Sequence, residues 1–272
     1  MSDNGNAQSH ITLWNVATGK LHSTLSNADY SITAIAVRNG KLAFSGHRTR
    51  AQVWDIAKGK MQSEFEKTGE YWQKSIAVSR DGSRVAHTDD ERLYIWNSAS
   101  GALLQTIVLA GNEEWDNPVP VAFSGNGKTV VVAEKRTLSL WSDKGVLRQR
   151  ANHHSDVIWS LATSPNGSTL ASSGVDGIVN FWDADSGVLK VSLAFSPAPN
   201  KEIKAKSFDW IAWTPDGFFA GAPGCERFIR HRNGDALFPV TESQKKYYRL
   251  APLQSAFGLR KMDASARSTS KD

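Results

Sequence analysis

Apolar and polar residues alternate along this chain in short runs, and five of those runs end on a tryptophan. ITLWN, AQVWD, LYIWN, LSLWS and VNFWD close at Trp14, Trp54, Trp96, Trp141 and Trp182, with spacings of 40, 42, 45 and 41 residues. Alternation at a period of two marks a strand, and a repeat near 40 residues marks a stacked or radial array of one unit. After each tryptophan comes a glycine-containing turn and a further short strand, as in VATGKLHSTL, IAKGKMQSEF, SASGALLQTI and ADSGVLKVSL. Before each tryptophan from the second onward lie two more strands around a turn: IAVRNGKLAFSG, IAVSRDGSRVAHT, VAFSGNGKTVVVA and LATSPNGSTLASSG. The pairs Asn39-Gly40, Asp81-Gly82, Asn126-Gly127 and Asn166-Gly167 are hairpin signals, because Asn and Gly tolerate positive φ. Each period therefore predicts four short antiparallel strands.

Four strands in 40–45 residues is the content of one β-propeller blade, and the sequence resembles the WD-repeat propellers. The fullest copy is HHSDVIWSLATSPNGSTLASSGVDGIVNFWD, residues 153–183. The resemblance implies a buried relay of indole, hydroxyl, imidazole and carboxylate made by Trp182, Ser172, His154 and Asp176, which would satisfy polar groups while pinning one blade's strand and turn. Other copies lack a histidine matching His154. FSGHRTRAQVWD has Thr49 or Arg50 near the turn aspartate, and AEKRTLSLWS has none, so those blades are expected to rest on β-branched and aromatic packing. Trp159, inside a strand, is expected to pack between blades.

The expected fold is all-β, a WD-repeat β-propeller of five four-stranded blades plus an N-terminal half blade, twenty-two strands in an incomplete ring. The half blade covers 10–26, and the blades cover 31–66, 74–108, 118–149, 154–194 and 207–240. Residues 1–9 read as a disordered start and 241–272 as a basic, largely disordered tail. The 207–240 unit is divergent, with His231 where the tryptophan should stand and an enlarged loop, SPAPNKEIKAK, ahead of it. The half blade leaves a sheet edge open, which predicts self-association, or the C-terminal part of a longer propeller. The ending WTPDGFFAGAPGCERFIRHRNG…KKYYRL also resembles the terminal segment of bacterial WD-repeat proteins with an upstream caspase-like peptidase domain. That resemblance implies a recognition or regulatory fragment of such a peptidase, without its catalytic part.

Composition narrows the classes. The 272 residues carry 32 basic and 27 acidic groups, and 241–272 alone hold seven basic against three acidic, or +4 of the net +5. The body is close to neutral, so a nucleic-acid surface is not expected beyond contact through the tail. No apolar run is long enough for a membrane helix, the start MSDNGNAQSH carries no secretory core, and a lone Cys225 forbids an internal disulfide; together these point to a cytoplasmic protein.

Catalytic, metal and cofactor readings find little purchase. His153 and His154 are adjacent on an extended segment and face opposite ways, so with Asp156 they do not make one metal site. Cys225, His231 and Asp235 lack the local pattern of a thiol nucleophile. Gly111-Asn112-Glu113-Glu114-Trp115-Asp116 lacks the spacing of a calcium loop, and no phosphate-cradling glycine motif occurs. The remaining signal is aromatic: Tyr30, Tyr71, Trp72 and Trp115 fall in the connections from one blade's last strand to the next blade's first, beside Asp29, Glu70, Glu113, Glu114 and Asp116. Tyr and Trp on loops are interface anchors, and the acidic neighbours suit a basic protein or peptide. The expectation is a non-catalytic interaction scaffold without metal or cofactor.

Overall fold

The computed structural model describes residues 9–28, 32–46, 49–66, 73–110, 117–197, 208–222, 225, 229–233, 236–239 and 247–249. Those residues divide into two compact units, the first 1–176 with 183–187, the second 177–182 with 188–272. Among them are twenty-two strands, with 3-10 turns at Cys225 and Tyr247.

In the first unit, β1 (Ser9–Asn15) and β2 (Lys20–Ala28) form a two-stranded sheet. Three antiparallel four-stranded sheets follow in simple chain order. These are β3 (Ile32–Arg38), β4 (Lys41–Gly46), β5 (Thr49–Asp55) and β6 (Lys60–Glu64); β7 (Ser75–Val78), β8 (Arg84–Thr88), β9 (Arg92–Asn97) and β10 (Leu103–Val108); and β11 (Val121–Phe123), β12 (Thr129–Glu134), β13 (Thr137–Ser142) and β14 (Leu147–Ala151). The pair β15 (Ile158–Thr163) and β16 (Thr169–Gly174) completes the unit.

Burial explains why the middle strands are continuously apolar while the last are not. Leu42, Phe44, Ile11 and Leu25 close the seam between the first two sheets. Ala43, Val53, Phe65, Ile76, Val85 and Trp96 fill the next, and Ile95, Ile107, Val121, Phe123, Val130 and Val132 the one after. A sheet with neighbours on both faces needs apolar residues at every position, and β4, β9 and β12 are buried almost throughout. The last strand of each sheet, such as β14, is mostly exposed.

Each repeat tryptophan also marks a bulge. Trp54 pairs with Met61 while Val53 pairs with Ser63; Trp141 pairs with Leu147 while Leu140 pairs with Gln149. The same skipped residue recurs at Trp14, Trp96 and Trp182. An extra residue there bends and twists the outer strand. The residue after the tryptophan then caps the turn. Asn15, Asp55, Asn97 and Asp183 accept, through Oδ1, the backbone N–H three residues on at 3.0–3.1 Å, and glycines at φ 64, 58, 71 and 69° close the turns. This is the physical content of a tryptophan followed by Asp or Asn. Replacing Asn97 with Ala, which removes acceptors for both Ala99 N and Ser100 N, is expected to cost about 1 kcal/mol in urea unfolding.

In the second unit, β17 (Ile178–Asp183) pairs with β18 (Leu189–Pro197). The 207–240 segment is laid out differently from the separate four-stranded blade expected of it. Its first strand, β19 (Phe208–Trp213), pairs antiparallel with β18 over six residues and then with β20 (Phe219–Gly221). The strands β21 (Arg230–Asn233) and β22 (Ala236–Pro239) make a separate hairpin. β18 runs nine residues, and its extension gives β19 an edge to satisfy. Part of the tail is placed: Tyr248 bridges Phe219 in parallel, and Arg249 N donates to Phe219 O at 3.0 Å.

Trp159 does not pack between sheets. On β15 Ile158 is buried while Trp159 is 57% exposed, because successive side chains of a strand face opposite ways.

Candidate functional site

His154, Ser172 and Asp176 come together in the first unit. The imidazole Nε2 lies 2.8 Å from Ser172 Oγ and Nδ1 2.9 Å from Asp176 Oδ2, which also accepts Ser155 N at 3.0 Å. All three side chains are held by one another and by backbone, so the set ties the segment before β15 to the turn after β16. Trp182 lies on β17 and is fully buried.

A second imidazole does related work in the β7–β10 sheet, where no histidine matches the His154 position of the repeat. Trp96 Nε1 donates to His87 Nδ1 at 3.1 Å, and both rings are buried. His87 stacks on Tyr94 at 4.9 Å and Trp96 on Phe65 at 4.9 Å. Tyr94 in turn donates its hydroxyl to Asp89 Oδ2 at 3.1 Å, and Asp89 Oδ1 accepts the N–H groups of Glu91 and Arg92. That blade is therefore not held by apolar packing alone. Burial lowers the His87 pKa to about 3, so the ring is neutral and can accept the indole proton. The β5 tryptophan uses a third solution: Trp54 Nε1 donates to Gln52 Oε1 at 3.0 Å, and Gln52 Nε2 to Glu64 Oε1 at 3.0 Å.

The four aromatic anchors, Tyr30, Tyr71, Trp72 and Trp115, lie outside the described residues, as do Asp29, Glu70, Glu113, Glu114 and Asp116. Their flanking strands are described. Residues 29–31 join β2 to β3, 67–72 join β6 to β7, and 111–116 belong to the link from β10 to β11. The starts of these three inner strands are bonded together. Thr33 Oγ1 donates to Gln73 O at 2.7 Å, and Val121 N donates to Ser75 Oγ at 3.2 Å. The starts of β3, β7 and β11 are thus held side by side.

Among the described residues no group of three or more His, Cys, Asp or Glu could hold a metal ion. Cys225 is buried against Ile211 and Phe219, and His231 pairs with Phe238 on β21; Asp235 lies outside the described residues. No helix there is long and apolar enough to cross a membrane.

Antiparallel four-stranded sheets closed by a tryptophan, with Asp or Asn capping most of the turns, are consistent with the all-β fold of a WD-repeat β-propeller. The family model described as WD domain, G-beta repeat matches residues 145–183, which include the His154 set. The chain is similar to periodic tryptophan protein 2 of Arabidopsis thaliana, 25% identical over 243 residues covering 80% of this chain and 26% of that protein. It is similar to autophagy-related protein 16 of Arabidopsis thaliana, 28% identical over 160 residues, 57% of this chain and 30% of that protein. A third relative is the WD repeat-containing protein slp1 of Schizosaccharomyces pombe, 25% identical over 200 residues, 66% of this chain and 38% of that protein. The chain spans less than two fifths of the length of each of these relatives.

Proposed function

We propose that this chain is a non-catalytic scaffold that docks a basic protein or peptide segment on the connections carrying Tyr30, Tyr71, Trp72 and Trp115. The observation that carries the reading is the pair of hydrogen bonds Thr33–Gln73 and Ser75–Val121. They hold the entry points of the three connections at fixed spacing on strands whose sheets are packed on both faces. A rigid base under large aromatic side chains lowers the entropy lost on binding, and Tyr and Trp supply area with few rotatable bonds. The five acidic residues in the same connections would attract the partner and set the sign it must carry. The match to the WD-repeat family model and the likeness to a protein named for its WD repeats support an interaction role over a catalytic one.

The test is a titration of fluorescein-labelled Lys/Arg-rich peptides from an array, read by polarisation. Replacing both Trp72 and Trp115 with Ala is expected to weaken the best binder by about 2 kcal/mol or more, the loss typical of an interface hot spot. The circular-dichroism spectrum should stay unchanged. Equal affinity in the double variant, or a lost fold, would overturn the assignment of these two rings.

A further inference from the structure

The hairpin turns that end the inner strands β3, β7, β11 and β15 are drawn together within the first unit. Asn39 Nδ2 donates to Asp81 O at 2.7 Å, joining the first turn to the second, and Gly125 N donates to Gly167 O at 2.9 Å, joining the third to the fourth. Beside these contacts lies an open depression of about 410 Å³ lined by Arg38, Asn39, Arg80, Thr163 and Pro165. Arg38 and Arg80 hold the same place in their repeats, directly before Asn39-Gly40 and Asp81-Gly82. Both reach across to the β15–β16 turn. Arg38 Nη2 donates to Ser164 O at 3.4 Å and Pro165 O at 3.1 Å, and Arg80 Nη1 to Asn166 O at 3.0 Å.

Three successive carbonyls orient the two guanidiniums without neutralising them. No carboxylate among the described residues forms an ion pair with either. Asp81, the acidic residue next to Arg80, is engaged elsewhere: Oδ1 accepts Ser79 Oγ at 2.6 Å and Ser83 N at 3.0 Å, and Oδ2 accepts Ser83 Oγ at 2.8 Å. A guanidinium has five N–H donors in a planar fork that matches a carboxylate edge. Each arginine spends one nitrogen on the carbonyls, so the rest of each fork remains for a ligand.

We propose that this depression binds side-chain carboxylates of an acidic peptide segment from a protein partner. Two arginines from adjacent sheets in one shallow, open recess suit carboxylates spaced along an extended chain. The same fork also fits phosphate, but the anion cradles built for free phosphate add rows of backbone N–H groups or a helix N-terminus, and this open recess is lined by side chains of strand ends and turns. A nucleic-acid backbone would need a wider basic surface, whereas residues 1–240 are close to charge balance. The site goes beyond the reading above and is independent of it. β3, β7 and β11 each begin at an aromatic connection and end at one of these turns, so the two sites occupy opposite strand ends and take ligands of opposite charge.

The test is fluorescence polarisation of the full chain with a fluorescein-labelled peptide alternating Glu with Gly, against the same peptide carrying Gln. Saturable binding of the Glu peptide alone is expected. The Arg38→Gln, Arg80→Gln double variant should bind about tenfold more weakly, and the corresponding double Lys variant, which keeps the charge but loses the fork, should also weaken. Arg150→Gln on the exposed strand β14 should change nothing. Urea midpoints confirm that each variant is folded, and the Lys pair decides the matter if the Gln pair is not. No saturable binding, equal binding of the Gln peptide, unchanged affinity in the folded double variants, or full displacement by inorganic phosphate at concentrations where chloride has no effect would each overturn the proposal.

Discussion

Alanine at Gly167 is expected to destabilise the protein by about 3 kcal/mol or more, while alanine at Gly177 costs about 1 kcal/mol. Both glycines sit at φ +73°, so the intrinsic left-handed strain is the same. Their surroundings differ. A Cβ at Gly177 meets nothing within 4 Å, whereas one at Gly167 would stand 2.0 Å from Gly125 Cα and 2.6 Å from Gly125 N. Both obstacles are backbone, so no side-chain rotation relieves them, and the turns can part only by breaking the Gly125 N to Gly167 O bond. Alanine at Gly125 meets the same wall, with Asn166 O at 2.6 Å. Urea unfolding midpoints of the Gly167 and Gly177 variants measure the difference directly; equal losses would contradict the close approach of the two turns.

The second large effect is acid sensitivity centred on His87. Burial depresses its folded pKa to about 3, from an ordinary 6.5. Between those values the unfolded chain binds a proton that the folded protein refuses. The stabilisation is complete above pH 6.5 and is lost progressively as pH falls, at up to about 1.4 kcal/mol per pH unit, until the folded pKa is reached. A loss of several kcal/mol rivals the whole stability of a typical domain. His87→Gln keeps an acceptor near Trp96 Nε1 and cannot titrate, so its unfolding midpoint should fall less steeply than that of the native protein between pH 6.5 and 4. Parallel profiles would show that His87 titrates alike in the folded and unfolded chain, contradicting the depressed folded pKa.

Much of this was legible because it is local. The period of Trp14, Trp54, Trp96, Trp141 and Trp182, the Asp or Asn after four of them and the glycine closing each turn are short-range features, and each answers to turn geometry that the chain satisfies within a few residues. What escaped depends on which segments meet. Nothing in RVAHT announces that His87 accepts from Trp96, because the partner is set by strand register and by the neighbouring Phe65. The facing of Trp159 follows from Ile158 taking the buried side, a choice that alternation alone leaves open. The extension of β18 and its pairing with β19 resemble, residue by residue, a blade's outer strand followed by the next blade's inner one. A signal for the arginine pair did exist: the residue before the hairpin turn is Arg38 and Arg80 in two repeats but Gly125 and Pro165 in the others. Its meaning needs the turns in contact, across as many as 127 residues. The aromatic connections remain proposals of the sequence, carried by the described strands that flank them.

The measurement closest to the central claim is amide hydrogen exchange on the full chain, with and without a saturating Lys/Arg-rich peptide selected from the array. The account predicts new protection in fragments covering 29–31, 67–72 and 111–116, with the turns at Asn39-Gly40, Asp81-Gly82 and Asn126-Gly127 unchanged. Protection at those turns instead, or no protection in any of the three connections, would contradict docking on the aromatic end.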